Sequence, residues 1–149
     1  MTSSQAQASA ADAVGRHEPV LLERCLDLLA PAIEGAAGSA AAPGSAQPVM
    51  IDCTLGMGGH TEAALERFAT LKVVGIDRDP EAIALASARL ARFGDRFVAV
   101  QATYDAVSRV AHEHSVRAEG TVDAVLMDLG VSSLQLDEAS RGFSYARPA

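Results

Sequence analysis

Val49-Met50-Ile51-Asp52-Cys53-Thr54-Leu55-Gly56-Met57-Gly58-Gly59-His60 is the stretch that decides the fold. Val49 to Thr54 is a nearly continuous apolar run, the pattern of a short strand covered on both faces. Glycines follow at once, and Thr61 to Phe68 then has helical character. Strand, glycine turn and helix open a βαβ unit, and the unit repeats downstream. Lys72 to Asp77 is a second strand, and Asp79-Pro80-Glu81 opens the next helix with Asp79 as cap and Pro80 in the first position. Ile83, Leu85, Ala86 and Leu90 give that helix its buried stripe, and Gly94 stops it. Phe97 to Ala102 is a third strand, Asp105 to His114 a helix and Val122 to Asp128 a fourth strand. The expectation is an α/β fold, a Rossmann-like parallel sheet with flanking helices and right-handed crossovers.

Upstream, Pro19 suits a first helical turn, and Val20, Leu21, Cys25, Leu28 and Leu29 recur at helical spacing. Pro31 is expected to end that helix or to follow close on its end. Residues 35–48 are Ala, Gly, Ser, Pro and Gln, the composition of a flexible linker or surface loop. Residues 1–16 form an expected disordered tail, and 17–149 the N-terminal part of one domain. Only four strands precede Ala149, so the sheet is expected to be incomplete at its C-terminal end, as in the first part of a longer protein.

With 149 residues the chain can bury one real core. Its formal charge of −7 argues against nonspecific nucleic-acid binding, which needs Lys and Arg against phosphates, so any RNA contact must be local. Cys25 and Cys53 have no paired spacing, which makes a disulfide framework or zinc site a poor reading and a reducing cytoplasm the default. His112 and His114 lack further ligands nearby and read as solvated, so no metal is expected. The first fifteen residues lack the basic start and apolar run of a signal peptide, and no stretch reaches the apolar length of a membrane span.

The chemistry sits where strands end. Asp52, Asp77 and Asp128 each close a strand, and ligands of open parallel sheets bind outside those carboxyl ends. Gly56-Met57-Gly58-Gly59-His60-Thr61 satisfies the first two glycines of the dinucleotide fingerprint, but Thr61 holds the third position. Taken alone, that match is equally a tight strand–helix turn. Asp52 would repel a pyrophosphate and favour an ammonium or sulfonium, both of which S-adenosylmethionine carries; it is equally able to cap turn amides. Asp77 lies about 20 positions beyond the glycines, the place of the acid that accepts ribose hydroxyls, with helix capping as the alternative. Tyr104 lines the adenine or methionine side of such a pocket, or is a core-edge residue. Asp128 is the candidate for touching the reacting group, or another turn cap. Ser132 and Ser133 lack the second glycine of a nucleophile elbow and read as loop hydrogen-bonders.

Four blocks, in order, resemble the bacterial 16S rRNA cytosine-N4 methyltransferase family of the RsmH/MraW type: His17-Glu18-Pro19-Val20-Leu21-Leu22, Asp52 to His60, Gly75-Ile76-Asp77-Arg78-Asp79-Pro80-Glu81-Ala82, and Asp128-Leu129-Gly130-Val131-Ser132-Ser133-Leu134-Gln135-Leu136-Asp137 running on to Arg141-Gly142-Phe143-Ser144. The resemblance implies a class I S-adenosylmethionine-dependent methyltransferase fold, with S-adenosyl-L-methionine contacts at Gly58, Gly59, His60, Asp77, Tyr104, Asp128 and Gln135. It implies 16S rRNA or the small ribosomal subunit as partner. Tyr104 stands where the family commonly has Phe, and Leu134 where it has Pro, which loosens the loop before Gln135. Asp128 is the candidate catalytic carboxylate, accepting a hydrogen bond from the exocyclic amine of a cytidine as its nitrogen attacks the methyl group. Two other readings compete: a nicotinamide-dinucleotide-binding dehydrogenase fragment, opposed by Asp52, Thr61 and the Asp128–Asp137 block, and a truncated noncatalytic fragment with an exposed sheet edge.

Overall fold

The structure, a computed structural model, describes Pro19 and residues 21–39, 47–114 and 120–131. Helix α1 (Leu22–Ser39) leads into β1 (Val49–Asp52), α2 (Gly59–Arg67), β2 (Lys72–Asp77), α3 (Pro80–Leu90), β3 (Phe97–Gln101), α4 (Val107–His114) and β4 (Ala124–Leu126). The strands form one parallel sheet in the order β3-β2-β1-β4. This is the α/β architecture expected from the repeated βα pattern.

Side-chain alternation divides the core between two faces. Met50 and Val73 point to the face covered by Leu26 and Ile33 of α1, Leu65 of α2 and Leu90 of α3. Val49, Ile51, Val74 and Ile76 point to the other, against Val110 and Ala111 of α4. Both faces of β1 and β2 are thus dry, which is why these strands read as continuous apolar runs. Each fully buried side chain of this size contributes about 1.5–3 kcal/mol.

The direction of strand addition explains which helix goes where. From β1 the chain steps to β2 and then β3, with α2 and α3 on one face. It then returns past β2 and β1 to place β4 on the far side of β1, with α4 on the opposite face. A right-handed crossover that travels the other way across a sheet must use the other face. The order therefore reverses between β1 and β4, and the carboxyl ends of those two strands flank the switch point.

Local signals hold at several element ends. Asp79 caps α3, its Oδ1 accepting from the Glu81 N–H at 2.9 Å, and Pro80 is the first helical residue. Arg96, after β2 and α3, donates to the carbonyls of Leu65, Phe68 and Leu71 at 2.7–3.0 Å. It thereby satisfies carbonyls at and just beyond the end of α2, which lack helical partners.

Three expectations need correction. Pro31 does not end the first helix: α1 continues through it to Ser39. A proline inside a helix costs about 3 kcal/mol. The continuation gains Ile33, only 1% exposed, on the same stripe as Leu26 and Ala30, followed by alanines that favour helix. The expected loop at 35–48 accordingly loses its first five residues to α1, and residues 40–46 lie outside the described residues, as does the expected tail at 1–16. α3 does not run as far as Gly94: it closes at Leu90 and passes into 3-10 backbone, which Gly94 breaks with φ 57 and ψ −130. Finally β4 is shorter than Val122–Asp128. Asp123 enters the ladder by its side chain, Oδ2 accepting from the Val49 N–H at 2.8 Å, while its own N–H donates to the Val49 carbonyl.

Candidate functional site

The turn between β1 and α2 is built on backbone shapes that demand glycine. Gly56 has φ 52 and Gly58 φ 82. A Cβ on Gly58 would also lie 2.9 Å from Cδ1 of Leu90 and 3.5 Å from Cβ of Ala86. Gly58→Ala combines left-handed strain with a forced shift of the buried Leu90 side chain, and an expected loss of about 2 kcal/mol follows. Urea denaturation measures it; a stability unchanged within error would show that the turn tolerates a side chain. Gly59 opens α2, and the space of its missing Cβ is taken by Pro19, whose Cγ would be 2.5 Å away. The segment before α1 thus packs on the glycine turn, joining two blocks that are 40 residues apart in the chain.

Hydrogen bonds lace the turn to its neighbours on both sides. Leu55 N–H donates to the Ile76 carbonyl at 3.0 Å, and Gly58 N–H to the Leu55 carbonyl at 2.9 Å. Gly56 N–H donates to Oδ2 of Asp77 at 2.8 Å. On the other side, Cys53 N–H donates to the Leu126 carbonyl at 2.9 Å, and the Asp128 N–H to Oγ1 of Thr54 at 2.7 Å. The turn is therefore held by the ends of both β2 and β4.

The three strand-end acids have three different environments. Asp52 is 1% exposed and does not line a surface. Its Oδ2 accepts from the Thr61 hydroxyl at 2.7 Å, and its Oδ1 from the Thr54 N–H at 3.1 Å. Burial pushes its pKa up, opposed by those hydrogen bonds and by His60 nearby, and reinforced by Asp77. The expected attraction of Asp52 for an external cation is thus corrected: this carboxylate is spent inside the turn. Thr61, read from sequence as a missing third glycine, is fully buried and serves that carboxylate. Nothing in the glycine pattern announced the pair; an acid ending a strand with a hydroxyl in the following helix turn was the available signal.

Asp77 is half-buried, with Oδ1 accepting from the Asp79 N–H at 2.9 Å and Oδ2 from Gly56. Asp128 is exposed, just past the end of β4. Tyr104 is 57% exposed in a 3-10 turn, Tyr104–Ala106, after β3, so it is no core-edge residue. His60 is buried at the first turn of α2. Asp77 is the last residue of β2, and Gly58, Gly59, His60, Tyr104 and Asp128 lie beyond the carboxyl ends of strands, while Gln135, Ser132 and Ser133 lie outside the described residues. Cys53 is buried, and burial followed by the neighbouring Asp52 raises its thiol pKa, so it is unreactive packing.

Among the described residues no group of three or more His, Cys, Asp and Glu is placed to hold a metal, and no helix is long and apolar enough to cross a membrane. Arg67 pairs with Asp27, Arg92 with Glu62 and Glu66, and Arg109 with Glu113. These arginines are committed to carboxylates on the same surface and form no basic stripe.

Residues 15–149 match the profile of the MraW methylase family. The chain is 57% identical over 136 residues to a protein named ribosomal RNA small subunit methyltransferase H from Kocuria rhizophila, covering 91% of this chain and 38% of that one. It is 55% identical over 139 residues to the protein of the same name from Beutenbergia cavernae, covering 93% and 38%. A solved rRNA methylase from Streptococcus thermophilus is similar with a TM-score of 0.49 at 22% identity, over 72% of this chain and 53% of that one. The chain thus spans 38% of the length of the curated relatives named here. A match over residues 15–149 takes in both the glycine turn and the strand-end acids, and on it the chain belongs to the MraW methylase family.

Proposed function

We propose that this chain carries the cofactor-binding part of an S-adenosylmethionine-dependent methyltransferase that methylates the N4 amine of a cytidine in 16S rRNA, within the small subunit or its precursor. The observation that carries the reading is the bond from Gly56 N–H to Asp77, which makes the glycine turn and the second strand-end acid a single device. The bare backbone at Gly56, where a Cβ would meet nothing closer than the Thr54 carbonyl at 4.0 Å, leaves room for a ligand to approach closely. Asp77 uses one lone pair on each oxygen for the amides of Gly56 and Asp79. One pair on each oxygen is left for two ribose hydroxyls. Tyr104 offers an exposed aromatic face for the adenine or methionine side, and Gly58, Gly59 and His60 form the floor, with Gln135 as a further contact.

When bound, S-adenosylmethionine supplies an electrophilic methyl group on a sulfonium. The amine of cytidine is a poor nucleophile because its lone pair is delocalised into the ring. Asp128, exposed beside the switch point, accepts a hydrogen bond from one of its N–H groups and so returns electron density to the nitrogen as the new C–N bond forms. The target base is presented unpaired, since its amine is otherwise tied in a duplex. The fold alone also fits a nicotinamide dinucleotide, so the deciding experiment is calorimetric titration of the protein with S-adenosylmethionine and with NAD. Binding of the first alone is expected; binding of NAD alone would overturn the reading.

A further inference from the structure

We infer that Thr54 is a positioning residue for methyl transfer, its hydroxyl fixing the backbone from which Asp128 reaches the substrate. The inference rests on the functional reading above. β4 is only three residues long, and its last ladder contact to β1 is the bond from Cys53 N–H to the Leu126 carbonyl. Asp128 lies two residues beyond that strand end, in exposed, non-regular backbone, with exposed Met127 and Leu129 on either side. Packing therefore does little to hold it. What meets its backbone is Oγ1 of Thr54, accepting from the Asp128 N–H at 2.7 Å. Thr54 is itself fixed, because its own N–H donates to buried Asp52, which in turn accepts a hydrogen bond from the Thr61 hydroxyl in α2. A continuous line of bonds thus runs from the first turn of α2 through Asp52 and Thr54 to Asp128. The glycine turn, which cradles the cofactor, and the acid aimed at the base are set by the same residue.

This division of labour explains why position 54 carries a hydroxyl. A backbone N–H past a strand end has no ladder partner, and water would satisfy it without holding its place. A side-chain oxygen on the neighbouring turn satisfies it and also defines its location. Methyl transfer needs the nucleophile in line with the bond being broken, and small misplacements cost rate far more than binding. Thr54 acts through the backbone of Asp128, so its contribution should fall on turnover rather than on affinity.

The test is a pair of variants in the intact protein. Thr54→Val keeps shape and removes the acceptor; Thr54→Ser keeps the acceptor and removes the methyl. The expected result is a loss of kcat of about tenfold or more in Thr54→Val, a change of less than about threefold in KM for S-adenosylmethionine, and near-normal turnover in Thr54→Ser. The opposite pattern, with Ser damaged and Val normal, would assign Thr54 to packing and overturn the inference. So would two normal variants in a protein that Asp128→Asn inactivates. Amide hydrogen exchange in the unaltered protein gives a measurement that no folding defect confounds: the Asp128 N–H should exchange at least about tenfold slower than an unprotected amide, and free exchange would overturn the bond. A protein that binds no S-adenosylmethionine and methylates nothing sinks the functional reading itself; a working methyltransferase indifferent to Thr54→Val sinks only this assignment.

Discussion

Asp77→Ala is expected to weaken S-adenosylmethionine binding by about 100-fold or more, the largest effect of any single change at this site. Two charge-assisted bonds to ribose hydroxyls contribute roughly 1.5–3 kcal/mol each, and alanine removes both. It also releases the Gly56 and Asp79 amides, so turn geometry and ligand contact are lost together. Because Asp77 is half-exposed, water can take over those amides, and the stability loss should be near 1 kcal/mol. Calorimetry checks the affinity. Comparing S-adenosylmethionine with its 2′-deoxyribose analogue separates the two causes: the unaltered protein should lose affinity for the analogue, while Asp77→Ala should bind both equally weakly. Equal affinity of the alanine variant and the unaltered protein for S-adenosylmethionine would refute the ribose assignment.

Asp52→Ala is expected to destabilise the fold by about 3 kcal/mol without touching the ligand surface. The change strands the fully buried Thr61 hydroxyl and the Thr54 N–H, and each unsatisfied buried group costs about 1–3 kcal/mol. Asp52→Asn keeps the shape and one acceptor, so its cost should be far smaller. The pair also yields a pH signature. Desolvation raises the pKa of Asp52 in the folded state above its unfolded value. The folded protein therefore holds this proton more tightly than the unfolded chain. Its stabilising contribution is fully present below the unfolded pKa and is lost as pH rises through the folded one. Asn has no such dependence, so the stability advantage of Asp over Asn should shrink as pH rises from the ordinary carboxylate range through the raised folded pKa. Denaturant melts of both proteins across that range measure the difference. An advantage that grows with pH would mean that hydrogen bonding, rather than desolvation, governs this carboxylate.

Much of the site was legible because its parts are local. The strands announce themselves by apolar runs, and Asp79-Pro80 by cap chemistry acting over two residues. Gly58 is required by its own φ, and Asp77 by its distance from the glycine turn. The four family blocks lie in order along the chain, so their order needs no structure to be seen. The course of α1 past Pro31 is not legible in the sequence, because the backbone penalty is local while the burial of Ile33 that offsets it comes from a partner surface.

The strand-end acids draw the line most sharply. Sequence placed Asp52, Asp77 and Asp128 alike at the carboxyl edge, and composition made all three equally charged. Only the tertiary structure sorted them: Asp52 sealed beneath the turn, Asp77 shared between turn and surface, Asp128 exposed and held through Thr54. An aspartate ending a strand looks the same locally whether it meets solvent or a buried hydroxyl. What decides is desolvation and the partner that compensates it, and for the carboxylates of Asp52 and Asp77 those partners arrive from nine and 21 positions away.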